Sequence, residues 1–182
     1  IIKYMNVDAG KIAVVPCGID HTAFHDKIKE EAVKQVKEIY HLGEQYFLYL
    51  GTLEPRKNIP LIIRAYHELY KRKGSSIPKL VLAGKRGWGY DEIFALIQEL
   101  ELQDMVLFPG YVSEADKPAM LRGATCFLFP SLYEGFGIPP LEAMACGTPV
   151  IVSDAASLPE VVGEGGIKVL YDDSDAMSSY ME

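Results

Sequence analysis

Two glutamates eight positions apart enclose a short loop rich in glycine. Glu134 and Glu142 flank Gly-Phe-Gly at 135–137, and Pro139 and Pro140 suit the start of a helix directly after it. Unpaired backbone N–H groups at such a helix start favour a phosphate group. Carboxylates repel phosphates but accept hydrogen bonds from the hydroxyls of a sugar or a ribose. The pattern therefore predicts a site for a ligand that carries both phosphates and hydroxyls. The macrodipole alone would favour Glu142 in a first helical turn, but it does not account for Glu134.

Two other loops supply positive charge. Arg56 and Lys57 precede a predicted helix, and Lys85 and Arg86 follow a glycine in the next loop. Arginine offers a planar fork to phosphate oxygens, and lysine a compact point charge. Solvated basic turns are the alternative, but placement at the ends of strands favours an anion site. Trp88, between two glycines, either covers a sugar or base or packs on its own domain.

The elements that must position these loops alternate between strand and helix. Short apolar runs followed by longer amphipathic runs are typical of βαβ units. The strands are apolar throughout, which predicts a Rossmann-like α/β domain, a doubly wound parallel sheet with helices on both faces. Ligands bind at the carboxyl ends of such strands. The predicted strands are 46–50, 79–83, 105–108, 125–129, 150–153 and 167–170, and the predicted helices are 58–73, 91–100, 139–146 and others opening near 113, 158 and 173.

The predicted helix at 58–73 has recognisable ends. Asn58 is expected to cap its amino terminus and Gly74 to stop it. Its apolar residues recur at helical spacing and are expected to face the core. These residues are Leu61, Ile62, Ala65 and Leu69.

The amino-terminal part has a different pattern. Residues 11–15 are predicted to form a strand, and residues 26–42 a charged helix. Residues 1–10 are expected to be the remnant of a connection from a preceding domain. Residues 11–182 are then one Rossmann-like domain, a fragment of a longer two-domain protein.

Composition excludes several classes of protein. The formal net charge of -7 argues against nucleic acid as the main partner. No apolar run approaches the length of a membrane-spanning helix. His21 and His25 lie four apart without a third ligand, so no metal site is predicted. Cys17, Cys126 and Cys146 have no metal-type spacing and are expected to be buried reduced thiols in a cytoplasmic protein.

Three stretches taken together resemble glycosyltransferase family 4, whose members are retaining enzymes of the GT-B fold. They are 51–58, 108–112 and 134–150, and the resemblance extends over about residues 11–170. Its most specific element is the pair Glu134 and Glu142. The resemblance implies that the chain is the carboxyl-terminal half of a GT-B fold, the domain that binds the sugar-nucleotide donor.

The resemblance also implies a role for each residue of the site. Lys57, with Arg56, would hold the diphosphate and stabilise its charge as it departs, and Glu134 would bind hydroxyls of the donor sugar. Glu142 would bind the ribose. The backbone around Tyr111 and Val112 would contact the base. The full set of implied substrate-binding residues is Gly51, Thr52, Lys85, Arg86, Tyr111, Val112, Glu134, Gly135, Phe136, Gly137, Ile138 and Glu142.

The resemblance has one departure at the phosphate site. Thr52 stands where many family members carry a second phosphate-binding arginine. Either Arg56 substitutes for it, or Lys85 and Arg86 help, or the activity differs. The family implies no protein nucleophile, no cofactor and no metal.

The implied function is that of a retaining hexosyltransferase. The basic loops resemble those of bacterial mannosyltransferases, so GDP-mannose is the first expected donor and a UDP-sugar the second. A glycan or lipid-linked acceptor would bind mainly to the missing amino-terminal domain. The fragment alone is expected to be inactive, and the full-length protein to be cytoplasmic, peripheral at the inner membrane face. Two further hypotheses are a sugar-nucleotide epimerase-like enzyme and a non-catalytic nucleotide-binding module.

Overall fold

A parallel sheet forms the centre of the computed structural model, which describes residues 2–5 and 7–182. Within these residues, six strands lie in the order β3-β2-β1-β4-β5-β6, and every neighbouring pair is parallel. The predicted doubly wound α/β class is confirmed. The strands are β1 (Tyr46–Leu50), β2 (Lys79–Ala83), β3 (Val106–Leu107), β4 (Cys126–Phe129), β5 (Val150–Ser153) and β6 (Ile167–Val169).

Helices connect the strands and form two packed groups. The helix after β1 packs with those after β2 and β6, and the helix before β4 packs with the one after β4. The helices are α1 (Ile2–Met5), α2 (Glu30–Ile39), α3 (Ile59–Lys73), α4 (Tyr90–Glu99), α5 (Lys117–Arg122), α6 (Ile138–Ala145), α7 (Leu158–Val162) and α8 (Ser174–Tyr180), with 3-10 turns at Ala9–Lys11, Pro55–Lys57 and Gly74–Ser76.

The central strands are apolar because both of their faces are covered. In β1, the side chains from Tyr46 to Tyr49 are all buried, and Leu48 lies in register with Val81 of β2 and Phe127 of β4. A strand with one solvated face would instead alternate apolar and polar residues. This explains why the sequence predicts β1, β2 and β5 with the bounds that the structure has.

Helix α3 buries the apolar stripe that its spacing predicts. Leu61, Ile62, Ala65 and Leu69 are all buried, and the helix stops at Gly74, whose φ is 70°. The predicted cap is wrong in its chemistry. Asn58 occupies the cap position with a left-handed φ of 54°, but its side-chain oxygen accepts no hydrogen bond from the helix, and its side-chain nitrogen donates to the carbonyl of Tyr171.

The amino-terminal predictions are largely wrong. Residues 12–20 contain no strand, and Val14 and Val15 are 91% and 84% exposed. An extended segment becomes a strand only when another strand completes its hydrogen bonds, and no described strand lies beside this one. Helix α2 covers only 30–39 of the predicted 26–42. The predicted connection at 1–10 includes residues 1 and 6, which lie outside the described residues.

Smaller corrections concern one strand and one thiol. Strand β3 is two residues long, whereas four were predicted, because only Val106 and Leu107 pair with β2. Cys126 and Cys146 are buried as predicted, and burial raises the pKa of the Cys146 thiol to about 11. Cys17 is exposed, because it lies in the irregular segment before α2.

The two halves of the sheet meet between β1 and β4. The chain leaves β1 through α3 toward β2, whereas it leaves β4 through α6 toward β5, on the other side. The loops that follow these adjacent strands therefore diverge and leave a crevice at the carboxyl edge. Ligands bind at such a switch point in open α/β sheets.

Two glycines allow the ends of neighbouring strands to touch. The amide of Gly51 donates to Ala83, and the amide of Gly84 donates to Gly110. A Cβ on Gly84 would lie 1.9 Å from the carbonyl oxygen of Gly51, and its φ of 139° is unfavourable for other residues. Only glycine fits at this point of contact.

Gly84→Ala is therefore expected to destabilise the chain. The backbone clash and the strained φ together should lower the free energy of unfolding by about 2 kcal/mol or more. Urea denaturation measures this quantity. Gly18→Ala is the matched control, since no atom of the described residues lies within 4 Å of its new Cβ. An unfolding free energy equal to that of wild type in Gly84→Ala would contradict the close contact.

Candidate functional site

One carboxylate joins two cations across the crevice. Glu134 Oε1 lies 2.6 Å from Lys57 Nζ, and Glu134 Oε2 lies 3.0 Å from Arg56 Nη1. The side chains of Lys57 and Glu134 are only 12% and 13% exposed, whereas that of Arg56 is 43% exposed. The three residues to which the sequence assigns catalytic roles are therefore in contact.

Backbone contacts hold this ion cluster in position. The Arg56 carbonyl accepts a hydrogen bond from the amide of Leu132, and Arg56 Nη1 donates to the carbonyl of Tyr133 at 2.7 Å. These bonds tie the loop after β1 to the loop after β4. Lys57 Nζ also lies 5.1 Å from the ring centroid of Phe129, the last residue of β4. The cation thus rests on an aromatic face that a sheet strand positions.

The cluster keeps Glu134 ionised. Burial opposes ionisation, but the hydrogen bond and charge of Lys57 and the hydrogen bond from Arg56 outweigh it, so the pKa of Glu134 lies below its ordinary value of 4.5. A charged carboxylate accepts hydrogen bonds and donates none. Glu134 is thus suited to accept from hydroxyls.

The glycine loop before α6 presents free backbone donors. The amides of residues 135–138 donate no hydrogen bond within the described part of the chain, and α6 has no side-chain cap. Gly137 has a φ of 119°, which glycine alone adopts readily. Ser157 Oγ lies within hydrogen-bonding distance of the carbonyls of Glu134 and Phe136, at 3.0 and 2.5 Å, and so restrains the loop.

A pocket lies beside the crevice, at the carboxyl ends of β1 and β2. Its volume is about 310 Å³. Tyr49 donates to the carbonyl of Thr52 at 2.9 Å, and burial raises its pKa, so the hydroxyl keeps its proton. The lining residues are Leu50, Gly51, Thr52, Gly84, Lys85, Tyr111, Val112, Glu114 and Lys117.

The loops after β1 and β2 run side by side at this pocket. The amide of Leu53 donates to Lys85, and the amide of Gly87 donates back to Leu53. Lys85 lies over the ring of Tyr111, at 5.1 Å from its centroid. Arg86 points elsewhere, over Tyr90, and does not line this pocket. The two cations predicted to act together are therefore separated.

Trp88 lies beyond these loops. Its side chain is 72% exposed. Most of its surface therefore does not pack on its own domain and is accessible to a ligand.

Glu142 is buried and paired with a lysine for which the sequence predicts no role. Lys117 Nζ lies 3.0 Å from Glu142 Oε1 and 2.8 Å from Oε2. A lysine in the first turn of a helix is unfavourable against the macrodipole, but the predicted helix opens near 113, so Lys117 has this position only in the structure, where α5 begins at Lys117. Ser157 and Glu114 also carried no signal in the sequence.

The arrangement suits a ligand with two anionic groups, hydroxyls and a flat ring. Two cations and four free amides surround the crevice, and a pocket with one exposed aromatic ring, Tyr111, continues from it along the loop after β1. No cluster of three potential metal ligands occurs among the described residues.

Comparison with known proteins identifies the family. The model for glycosyl transferases group 1 matches residues 14–181. The chain belongs to the group 1 glycosyltransferases. The O-antigen chain mannosyltransferase B of Escherichia coli is a relative with 37% identity over the whole chain, which spans 47% of that protein.

Solved structures share the fold of this glycosyltransferase domain. Sucrose-phosphate synthase from Thermosynechococcus elongatus superposes with a TM-score of 0.79 and 28% identity, over 98% of this chain and 44% of that one. HepE from Anabaena, in complex with UDP and glucose, superposes with a TM-score of 0.75 and 22% identity, over 90% and 44%. In both, the chain corresponds to less than half of the other protein.

The group 1 domain contains no helix long and apolar enough to cross a membrane within its described residues. The residues assigned to its site by sequence lie together at one edge of the sheet, with Arg86 as the exception. Their individual roles remain predictions.

Glu134→Gln is expected to change how the stability of the domain depends on pH. Because the folded-state pKa of Glu134 is depressed, its ionised form contributes stability above about pH 4.5. This contribution is lost as the pH falls through the folded-state pKa. The variant should therefore be less stable than wild type at pH 7, and the difference should narrow below pH 4.5.

Urea unfolding between pH 3 and 7 measures this effect. Glu92→Gln, at an exposed position on α4 without an ion pair among the described residues, is the matched control. A difference between Glu134→Gln and wild type that stays constant over the whole range would contradict the ion cluster.

Proposed function

We propose that this chain is the donor-binding domain of a retaining hexosyltransferase, which transfers a mannosyl group from GDP-mannose to a glycan or lipid-linked acceptor. The observation that carries the proposal is the meeting of Arg56, Lys57 and Glu134 at the switch point of the sheet, beside the free amides before α6. The group 1 family and the mannosyltransferase relative support it.

The cations and amides act on the departing diphosphate. Transfer breaks the bond between the sugar C1 and the β-phosphate oxygen, and a bond forms between C1 and an acceptor oxygen on the same face. The acceptor proton passes to the departing phosphate. Lys57, Arg56 and the amides of residues 135–138 stabilise the negative charge that develops there. Removing one such donor typically raises the barrier by about 3 kcal/mol.

The carboxylate must exchange partners when the donor binds. In the structure, Glu134 pairs with both cations and holds them at the crevice. A diphosphate competes with the Glu134 carboxylate for Arg56 and Lys57, because both groups are anions that pair with these two cations. Glu134 is then available to accept hydrogen bonds from the sugar hydroxyls. The ion cluster thus places both cations where the diphosphate binds in this proposal.

Two donor classes have support. The relative named as an O-antigen mannosyltransferase favours GDP-mannose, and the structural likeness to HepE bound to UDP and glucose favours a UDP-sugar. The first has the higher sequence identity, and we take GDP-mannose as the donor. Transfer requires no metal in this proposal, because the cations and amides supply the positive charge. The acceptor binds to a part of the protein outside this chain. The full-length protein is cytoplasmic and peripheral at the inner membrane face.

Calorimetry with the 182-residue chain tests the donor class. GDP and GDP-mannose are expected to bind more tightly than UDP and UDP-glucose, and the chain alone is expected not to transfer sugar. Tighter binding of UDP and UDP-glucose would overturn GDP-mannose as the donor but would leave the proposed hexosyltransferase activity in place. A chain that binds the nucleotides but has no affinity gain from any attached sugar favours a non-catalytic nucleotide-binding module. Absence of binding by all four at millimolar concentration would refute the proposal.

Lys57→Ala is expected to weaken GDP binding by about tenfold or more, because a charge-assisted hydrogen bond to phosphate is lost. Calorimetry measures the dissociation constant, and thermal melting confirms that the variant is folded. Lys168→Ala is the matched control, since its exposed ammonium donates to the carbonyl of Gly163 and to no other group of residues 2–5 and 7–182. Equal GDP affinity in Lys57→Ala and wild type would remove Lys57 from the phosphate site.

A further inference from the structure

One hydrogen-bond donor and one hydrogen-bond acceptor lie together in the pocket beside the crevice. Lys117 and Glu114 both line it, and Lys117 Nζ lies 3.7 Å from Glu114 Oε2. Neither residue has a role in the proposed chemistry of transfer. Their pairing in a pocket next to the diphosphate site raises the question of what they bind.

Lys117 is held in a defined position. Its side chain is 14% exposed, both oxygens of Glu142 contact its ammonium, and the ammonium lies 5.4 Å from the ring centroid of Phe24. An ammonium has three N–H groups, so the contact with Glu142 leaves donor capacity toward the pocket. The lysine thus presents a fixed donor.

Glu114 is free to accept. Its side chain is 76% exposed, and Lys117 is its only ionic partner among the described residues, at a distance too long for a hydrogen bond. Tyr111, which lines the same pocket and is 59% exposed, offers an aromatic face on which a flat ring could stack.

We infer that Glu114 and Lys117 recognise the edge of a guanine base. This inference rests on the proposed function, in which the ligand is a nucleoside diphosphate sugar. Guanine presents the O6 acceptor beside the N1–H and N2–H₂ donors. The Lys117 ammonium donates to O6, and the Glu114 carboxylate accepts from N1–H and N2–H₂.

The same pair discriminates against the other bases. Uracil has an oxygen on each side of its single N–H, so the Glu114 carboxylate would face an oxygen. Adenine has an amino group where Lys117 requires an acceptor. Specificity then comes from repulsion of the wrong base as well as from attraction of the right one. Glu114 and Lys117 are thus residues that determine the donor nucleotide.

Inosine diphosphate provides a sharp test, because it differs from GDP only by the absence of the exocyclic amine. Wild type is expected to bind GDP about tenfold more tightly than inosine diphosphate, the usual effect of one hydrogen bond to a charged group. Glu114→Ala should bring this ratio close to one. Glu160→Ala, an exposed carboxylate on α7 outside the pocket, should leave the ratio unchanged. Calorimetry measures all of these affinities.

Lys117 is tested by a pair of variants. Lys117→Met is expected to lower the affinities for GDP and for inosine diphosphate by the same factor, because both bases carry O6. Lys117→Gln, whose amide still donates, should restore part of the affinity, and it also serves if the methionine variant does not fold. Unchanged GDP affinity in either folded variant, relative to wild type, would overturn the role of Lys117.

The outcomes separate this inference from the proposed function. If GDP binds through Lys57 but wild type does not distinguish it from inosine diphosphate, or Glu114→Ala weakens both equally, the guanine pair alone is overturned. If UDP binds more tightly than GDP, the guanine pair and the GDP donor are both overturned, and the diphosphate site stands. If no nucleotide binds, the proposed function falls, and this inference with it.

Discussion

The crevice between β1 and β4 is the constraint on which the site depends. Adjacent parallel strands whose connections diverge leave their carboxyl ends uncovered, and the ion cluster of Arg56, Lys57 and Glu134 spans this opening. The two loops that supply the cluster are remote in sequence. They meet only because β1 and β4 pair in register, with Leu48 opposite Phe127. Sheet order therefore decides which charges meet.

Four cations of the loops and helix ends near the crevice each lie over an aromatic ring. Lys57 also contacts the half-buried carboxylate of Glu134, and Lys117 contacts the buried carboxylate of Glu142. Such partners restrict the cations before a ligand arrives, which reduces the cost of ordering them on binding. They also show how a chain with a formal charge of -7 keeps positive charge at the predicted site. The pairs are Lys57 with Phe129, Lys85 with Tyr111, Arg86 with Tyr90 and Lys117 with Phe24.

Much of the fold was predictable from local pattern. Buried strands of a parallel sheet are continuous apolar runs, and helices such as α3 have periodic stripes and glycine stops, so bounds such as Tyr46–Leu50 follow from the sequence. The segment at 11–15 has the same apolar character, but it forms no strand. Its hydrogen bonds require a neighbour, and local pattern carries no information about one. Asn58 likewise has the residue type of a helix cap, but its side-chain nitrogen donates a hydrogen bond to the carbonyl of Tyr171, which is distant in sequence.

The sequence by itself determined the fold class, the edge of the sheet that carries the predicted site and the residue types that are placed there. Residue type and spacing suffice for these, because strand ends, glycine turns and charges are local features. Only the tertiary structure decided which charges are partners: Glu134 with Lys57 and Arg56, Glu142 with Lys117, and Arg86 with neither. The physical reason is that ion pairs form over a few ångströms between side chains that lie far apart along the chain. The pairing of strands, which depends on the whole core, sets those distances.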